Sequence, residues 1–109
     1  MSLSENCARS DPCPIYVGLG NWTDQGTKDF RGSVQRGNGF RELVEQAGGR
    51  VRELVWTMGE YDFITVLEAP DDETAATLVL RVAAAGNVRT KTKRAFDADQ
   101  MSDIIARTG

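Results

Sequence analysis

Apolar and polar positions alternate with period two from Ile15 to Trp22, which predicts a strand. Ile15, Val17 and Leu19 point to one face, and Tyr16, Gly18, Gly20 and Trp22 to the other. The spacing then becomes helical. Phe30, Val34, Phe40, Leu43, Val44 and Ala47 form one apolar stripe, Thr23 or Asp24 supplies the N-cap, and the helix reaches about Gln46 before Gly48-Gly49 ends it. Gly32, Gly37 and Gly39 weaken its middle.

Arg50 to Met58 reads as a second strand and Tyr61 to Ala69 as a third, with Gly59-Glu60 as a two-residue hairpin connection between them. That loop sets Met58 opposite Tyr61, Trp56 opposite Phe63 and Leu54 opposite Thr65. Pro70 stops the third strand. Asp71 caps a helix with an acidic first turn, Asp72-Glu73, and a buried stripe of Ala75, Leu78, Val79 and Val82. Gly86-Asn87 closes it and leads to a fourth strand, Val88 to Phe96. Asp97 or Asp99 then caps a short helix carrying Met101, Ile104 and Ile105.

The order β-α-β-β-α-β predicts an α+β, ferredoxin-like fold with a four-stranded antiparallel sheet, its first and third strands central. The edge strands carry the charges, Arg50, Arg52 and Glu53 on one side and Arg89, Lys91, Lys93 and Arg94 on the other, which protects sheet edges. Helices can cover only one face, and the aliphatic set Val17, Leu19, Val55, Ile64 and Val66 suits that packing. The opposite face is apolar too. Tyr16, Trp22, Trp56, Tyr61, Phe63 and Leu67 would form a patch larger than soluble monomers tolerate, which predicts a homodimer packed sheet to sheet. Gly18 and Gly20 leave side-chain volume missing among these aromatics, space for a small ligand or for close packing.

Composition narrows the function. A chain of 109 residues holds one domain, read as residues 14–109 behind a disordered leader at 1–13 rich in Ser, Asn, Asp and Pro. No apolar run approaches the roughly 20 residues that cross a bilayer, and no secretory signal opens the chain, so a cytoplasmic location without membrane attachment is expected. The net charge is −3 with no basic stripe, which disfavours nucleic acid. There is no histidine, so His-based metal clusters and triads are excluded, and no metal or cofactor is expected. Cys7 and Cys13 are not spaced as Cys-x-x-Cys and are read as incidental thiols.

Leu19-Gly20-Asn21-Trp22-Thr23-Asp24-Gln25-Gly26, Trp56-Thr57-Met58-Gly59-Glu60-Tyr61-Asp62 and Gly86-Asn87-Val88-Arg89-Thr90 together resemble the GYD-domain family, over Pro14 to about Phe96. The resemblance implies a dimeric α/β barrel, found mainly in bacteria, and supplies no established activity. The wider barrel group includes cofactor-independent oxygenases, which resemble this chain in setting Asn and Trp around a cavity. The expected function is therefore a small-molecule-binding or assembly module acting as a homodimer or larger homo-oligomer; the alternative is a cofactor-independent, oxygenase-like enzyme. Tyr16, Asn21, Trp22, Trp56, Tyr61 and Phe63 are the candidate ligand-binding residues. Without histidine, proton chemistry would fall to Tyr61, Asp62 or Arg89. Asp62 and Asn21 also suit structural roles, the carboxylate taking backbone N–H groups and the amide satisfying a turn.

Overall fold

A computed structural model describes Cys7 and residues 13–109. The elements are β1 (Ile15–Trp22), α1 (Asp24–Lys28), α2 (Ser33–Gln46), β2 (Arg50–Trp56), β3 (Phe63–Glu68), α3 (Asp72–Ala85), β4 (Val88–Ala95) and α4 (Ala98–Ala106). The four strands form one antiparallel sheet in the order β2-β3-β1-β4, the ferredoxin-like arrangement with β1 and β3 in the centre. Both expected caps on the later helices form. Asp71 accepts the Thr74 N–H at 2.7 Å, and Asp97 closes a reciprocal capping box with Gln100.

The expected single helix after β1 is instead two. Thr23 caps α1, which stops at Lys28; a short 3₁₀ turn, Phe30–Gly32, follows, and α2 starts at Ser33. The Arg36 guanidinium braces the break by donating to the Asp29 carbonyl at 2.9 Å and to its carboxylate at 3.0 Å. Phe30 and Val34 are consequently exposed, at 51% and 60%, and do not belong to the buried stripe. The hairpin also differs. Trp56 opposes Phe63 and Leu54 opposes Thr65 as expected, but the ladder closes with the Thr57 N–H on the Asp62 carbonyl, leaving Met58–Tyr61 as a four-residue loop. Gly59 has φ 110 there, and Met58 is fully exposed.

The helices pack on the opposite sheet face from the one expected. Tyr16 and Leu67 join Ala69 and Ala75 in the core, with Phe40 of α2 and Val51 of β2 against them. Val17, Leu19, Ile64 and Val66, although on central strands, stay partly accessible, and Val55 is 46% exposed. Alternation sorted the residues correctly into two sets, but both sets are apolar, so hydrophobicity did not distinguish inner from outer. The sheet-to-sheet surface assigned to the aromatic residues is thus occupied by α2 and α3, and the face left uncovered among the described residues is aliphatic.

One end of that uncovered face is closed by an ion cluster. A bulge between Val51 and Glu53 turns Arg52 to the same side as Arg50, and both guanidiniums reach Glu68, at 2.5 and 2.7 Å. The Glu68 side chain is only 5% exposed. Cys7 and Cys13, both buried, lie beside it and are joined as a disulfide with Cα atoms 5.6 Å apart, which corrects their reading as incidental thiols. The Cys7 backbone N–H also donates to the Gly48 carbonyl at 2.7 Å, which anchors that end of the cross-link. The remainder of the leader expected over 1–13 lies outside the described residues.

Burial alone would push the Glu68 carboxyl up, but the hydrogen bonds and charges of Arg50 and Arg52 outweigh it and hold the group below its usual value. A carboxylate held down in this way contributes stability above its unfolded pKa, roughly 4.3, which is lost as pH falls through the depressed folded value. Denaturant titrations should therefore show stability falling below about pH 4, and Glu68→Gln should flatten that limb. An unchanged acid limb in the variant would remove Glu68 from the account.

Candidate functional site

Between the sheet and the helices lies a cavity of about 400 Å³. Its floor is the aromatic sheet face: Tyr16, Trp22, Leu54, Trp56, Phe63 and Thr65. One wall is α2 through Arg36, Gly37, Phe40 and Leu43, and the other is α3 through Leu78, Val79, Arg81 and Val82. The helices build it because their small residues approach the sheet at one point and stand off at another. Gly37 lets α2 touch the floor, since a Cβ there would lie 3.0 Å from Leu54 and 3.2 Å from the Trp56 ring. Ala75 and Ala85 keep α3 thin.

Of the two β1 glycines, Gly18 lines the cavity and Gly20 does not. A Cβ on Gly20 would fall 2.0 Å from the Phe63 ring, and one on Gly18 would fall 2.9 Å from the Thr65 methyl. Gly20 admits the Phe63 ring across the strand pair, whereas Gly18 borders the cavity whose walls are α2 and α3.

Tyr16, Trp22, Trp56 and Phe63 of the expected ligand set line this cavity, whereas Asn21 and Tyr61 do not. Tyr16 anchors one end. Its hydroxyl donates to the Asp72 carboxylate at the start of α3, and burial together with that carboxylate pushes the phenol well above its ordinary pKa. It is a neutral hydrogen-bond donor already engaged, with the Arg94 guanidinium 5.6 Å from its ring centre. Trp56 is 41% exposed, so its ring is partly available at the rim and is not the buried interface core expected of it. Arg36, Arg81 and Ser33 were not among the sequence candidates. The signal was available: Arg36 shares the helical stripe of Phe40 and Leu43, and Arg81 that of Leu78 and Ala85, as cations set within apolar faces.

Asn21 and Asp62 belong to a second constellation at one end of the sheet. The Asp62 carboxylate accepts the Trp22 backbone N–H at 2.9 Å and the Asn21 amide at 3.4 Å, while that amide also donates to the Glu60 carbonyl at 2.8 Å. The Asp62 N–H returns a bond to the Gly20 carbonyl at 2.8 Å. On the other side, Thr23 donates its N–H to the Asn87 carbonyl at 3.0 Å and its hydroxyl to the Gly86 carbonyl at 2.6 Å. Gln25 holds the Ala85 carbonyl and the Asn87 side chain, at 3.1 and 3.0 Å. Gly26 sits against Asn87 with no room for a Cβ. The segments around Asn21, Asp62 and Asn87 therefore tie together the β2–β3 loop, the start of α1 and the α3–β4 turn. Among the described residues Asn21 and Asp62 bond to neighbouring backbone and to each other, which accords with the structural roles the sequence allowed them.

Residues 16–105 match the family model described as the GYD domain. The chain belongs to the GYD family. The chain is similar to the "Glutamine synthetase and cystathionine beta-lyase binding protein" of Thermus thermophilus, 34% identical over 95 residues that cover 86% of this chain and 97% of that protein. Among solved structures, the crystal structure of MtbAldR superposes with a TM-score of 0.62 over 82% of this chain at 17% identity, which shows a shared fold. This GYD chain spans 60% of that protein's length.

The cluster of Cys7, Cys13 and Glu68 brings possible ligand atoms within 4.8 Å of one another. In the disulfide form the sulfurs are bonded to each other and Glu68 is held by two guanidiniums, so these groups form a cross-link over an ion cluster. No helix in the described residues is long and apolar enough to cross a membrane.

Proposed function

We propose that this GYD domain is a binding module that assembles with itself, engages protein partners and holds a small molecule between its helices and sheet. The observation that carries the reading is the uncovered aliphatic sheet face. Val17, Leu19, Val55, Ile64 and Val66 share it, with Lys91 and Lys93 aligned beside Leu19 and Val17 and with Glu53 beside Val66. Two copies laid sheet to sheet would cover the apolar strip and bring a basic β4 rim towards an acidic β2 position, the self-complementary arrangement that a two-fold axis requires. The α4 helix adds Met101 and Ile105, exposed at 45% and 57%, to the surface left for a partner.

A binding role rather than a named reaction fits the engaged state of the polar groups. Tyr16, Asn21 and Asp62 are all satisfied by protein neighbours. The Thermus relative's description names two enzymes that it binds, and its likeness to this chain over nearly its whole length supports protein partners here as well. The ligand seat comprises Tyr16, Trp22, Trp56 and Phe63.

Light scattering at micromolar concentration tests the assembly. The wild-type chain should run as a dimer or larger homo-oligomer, and Ile64→Lys, which sets a charge in the centre of the strip, should run as a folded monomer. A wild-type chain that is a stable monomer defeats the reading.

A further inference from the structure

We infer that the cavity between α2, α3 and the sheet binds an apolar monocarboxylate, with its hydrocarbon part on the aromatic floor and its carboxylate at the Arg81 side of the mouth. This deepens the small-molecule seat proposed above and rests on it. The cavity's volume, about 400 Å³, falls at the lower end of the roughly 300–1,000 Å³ typical of small-molecule sites. Its interior is apolar, with Trp22, Trp56, Phe63 and Leu78 presenting rings and methyl groups.

Among the described residues that line it, the charged side chains are Arg36 and Arg81, with no Asp or Glu beside them. Their situations differ. Arg36 spends its guanidinium on Asp29 and Ser33. Arg81 is exposed on α3 and takes part in no ion pair among the described residues, so its planar donors remain for a carboxylate. The same lining disfavours other classes. An ammonium would meet two guanidiniums without a compensating carboxylate, which works against amines and against zwitterions such as free α-amino acids.

The test uses decanoate, with decanol as its uncharged counterpart, and reads the fluorescence of Trp22 and Trp56, the chain's two tryptophans, both in the lining. Decanoate should change that emission saturably and bind more tightly than decanol. Arg81→Gln should weaken decanoate by at least about tenfold while leaving decanol unchanged, as expected when one charge-assisted hydrogen-bonding group is lost. Because Arg81 is exposed, this variant keeps the fold. Equal binding of decanoate and decanol, unaffected by Arg81→Gln, would overturn the carboxylate while leaving the cavity as a seat. Binding of neither probe would overturn both the inference and the seat. The oligomeric reading is judged separately by light scattering.

Discussion

Gly26→Ala is expected to lower the unfolding free energy by about 3 kcal/mol, and the melting temperature by on the order of 15 °C, because it overpacks a backbone contact. The added Cβ would lie 2.0 Å from the Asn87 carbonyl oxygen and 2.9 Å from its carbon. Both obstacles are main chain, so no side-chain rotation relieves them. α1 must withdraw from the α3–β4 turn, and the Thr23 and Gln25 bonds to Gly86, Asn87 and Ala85 are stretched with it. Gly39→Ala in α2 is the matched control. Its Cβ meets nothing within 4 Å, and alanine's helix preference should leave that variant as stable as wild type or up to about 1 kcal/mol more so. Thermal melts of the pair decide the matter, and equal destabilisation in both would refute the close-approach argument.

The second large effect is expected at Asp62. Asp62→Ala should cost about 2 kcal/mol, the range for hydrogen bonds to a charged group, since it leaves the Trp22 N–H unmet and frees the Asn21 amide from its carboxylate. The β2–β3 loop keeps its other ties, the Thr57 hydroxyl on the Tyr61 carbonyl at 2.5 Å and the Asp62 N–H on the Gly20 carbonyl, so the fold should survive. Asp62→Asn preserves an acceptor and should cost less than Asp62→Ala. Denaturant unfolding measures both, and a loss below about 0.5 kcal/mol in Asp62→Ala would place this residue among ordinary surface positions.

Much of the fold was legible because local chemistry dictates it. Asp71 and Asp97 are short acceptors preceding helical stripes, and both cap as read. The Trp56–Phe63 and Leu54–Thr65 pairs followed from alternation on either side of a glycine-bearing loop. What failed was global. Two apolar sheet faces carry no label for inside, so the choice of face turned on which aromatic rings α2 and α3 could seat, and Gly37 against Trp56 records that choice. The bulge at Arg52 was visible only as an interval of three between Val51 and Leu54 where two was expected. With that extra residue ignored, Arg52 would face Leu67 in the core; with it, Val51 takes that place. The candidate site was half legible. Its aromatic floor could be read from β1, β2 and β3, whereas its cations come from helices whose spacing from the sheet no local pattern sets.

The corner where the β1–α1 junction binds both the β2–β3 loop and the α3–β4 turn has a consequence for substitution. The junction is the shared partner: its Trp22 N–H donates to Asp62, its Thr23 hydroxyl donates to the Gly86 carbonyl, and its Gly26 abuts Asn87. Because one junction serves both neighbours, paired substitutions across the corner should be non-additive. The cavity-lining residues Arg36, Phe40, Leu78 and Arg81 take no part in those bonds, so their exchange leaves the corner intact.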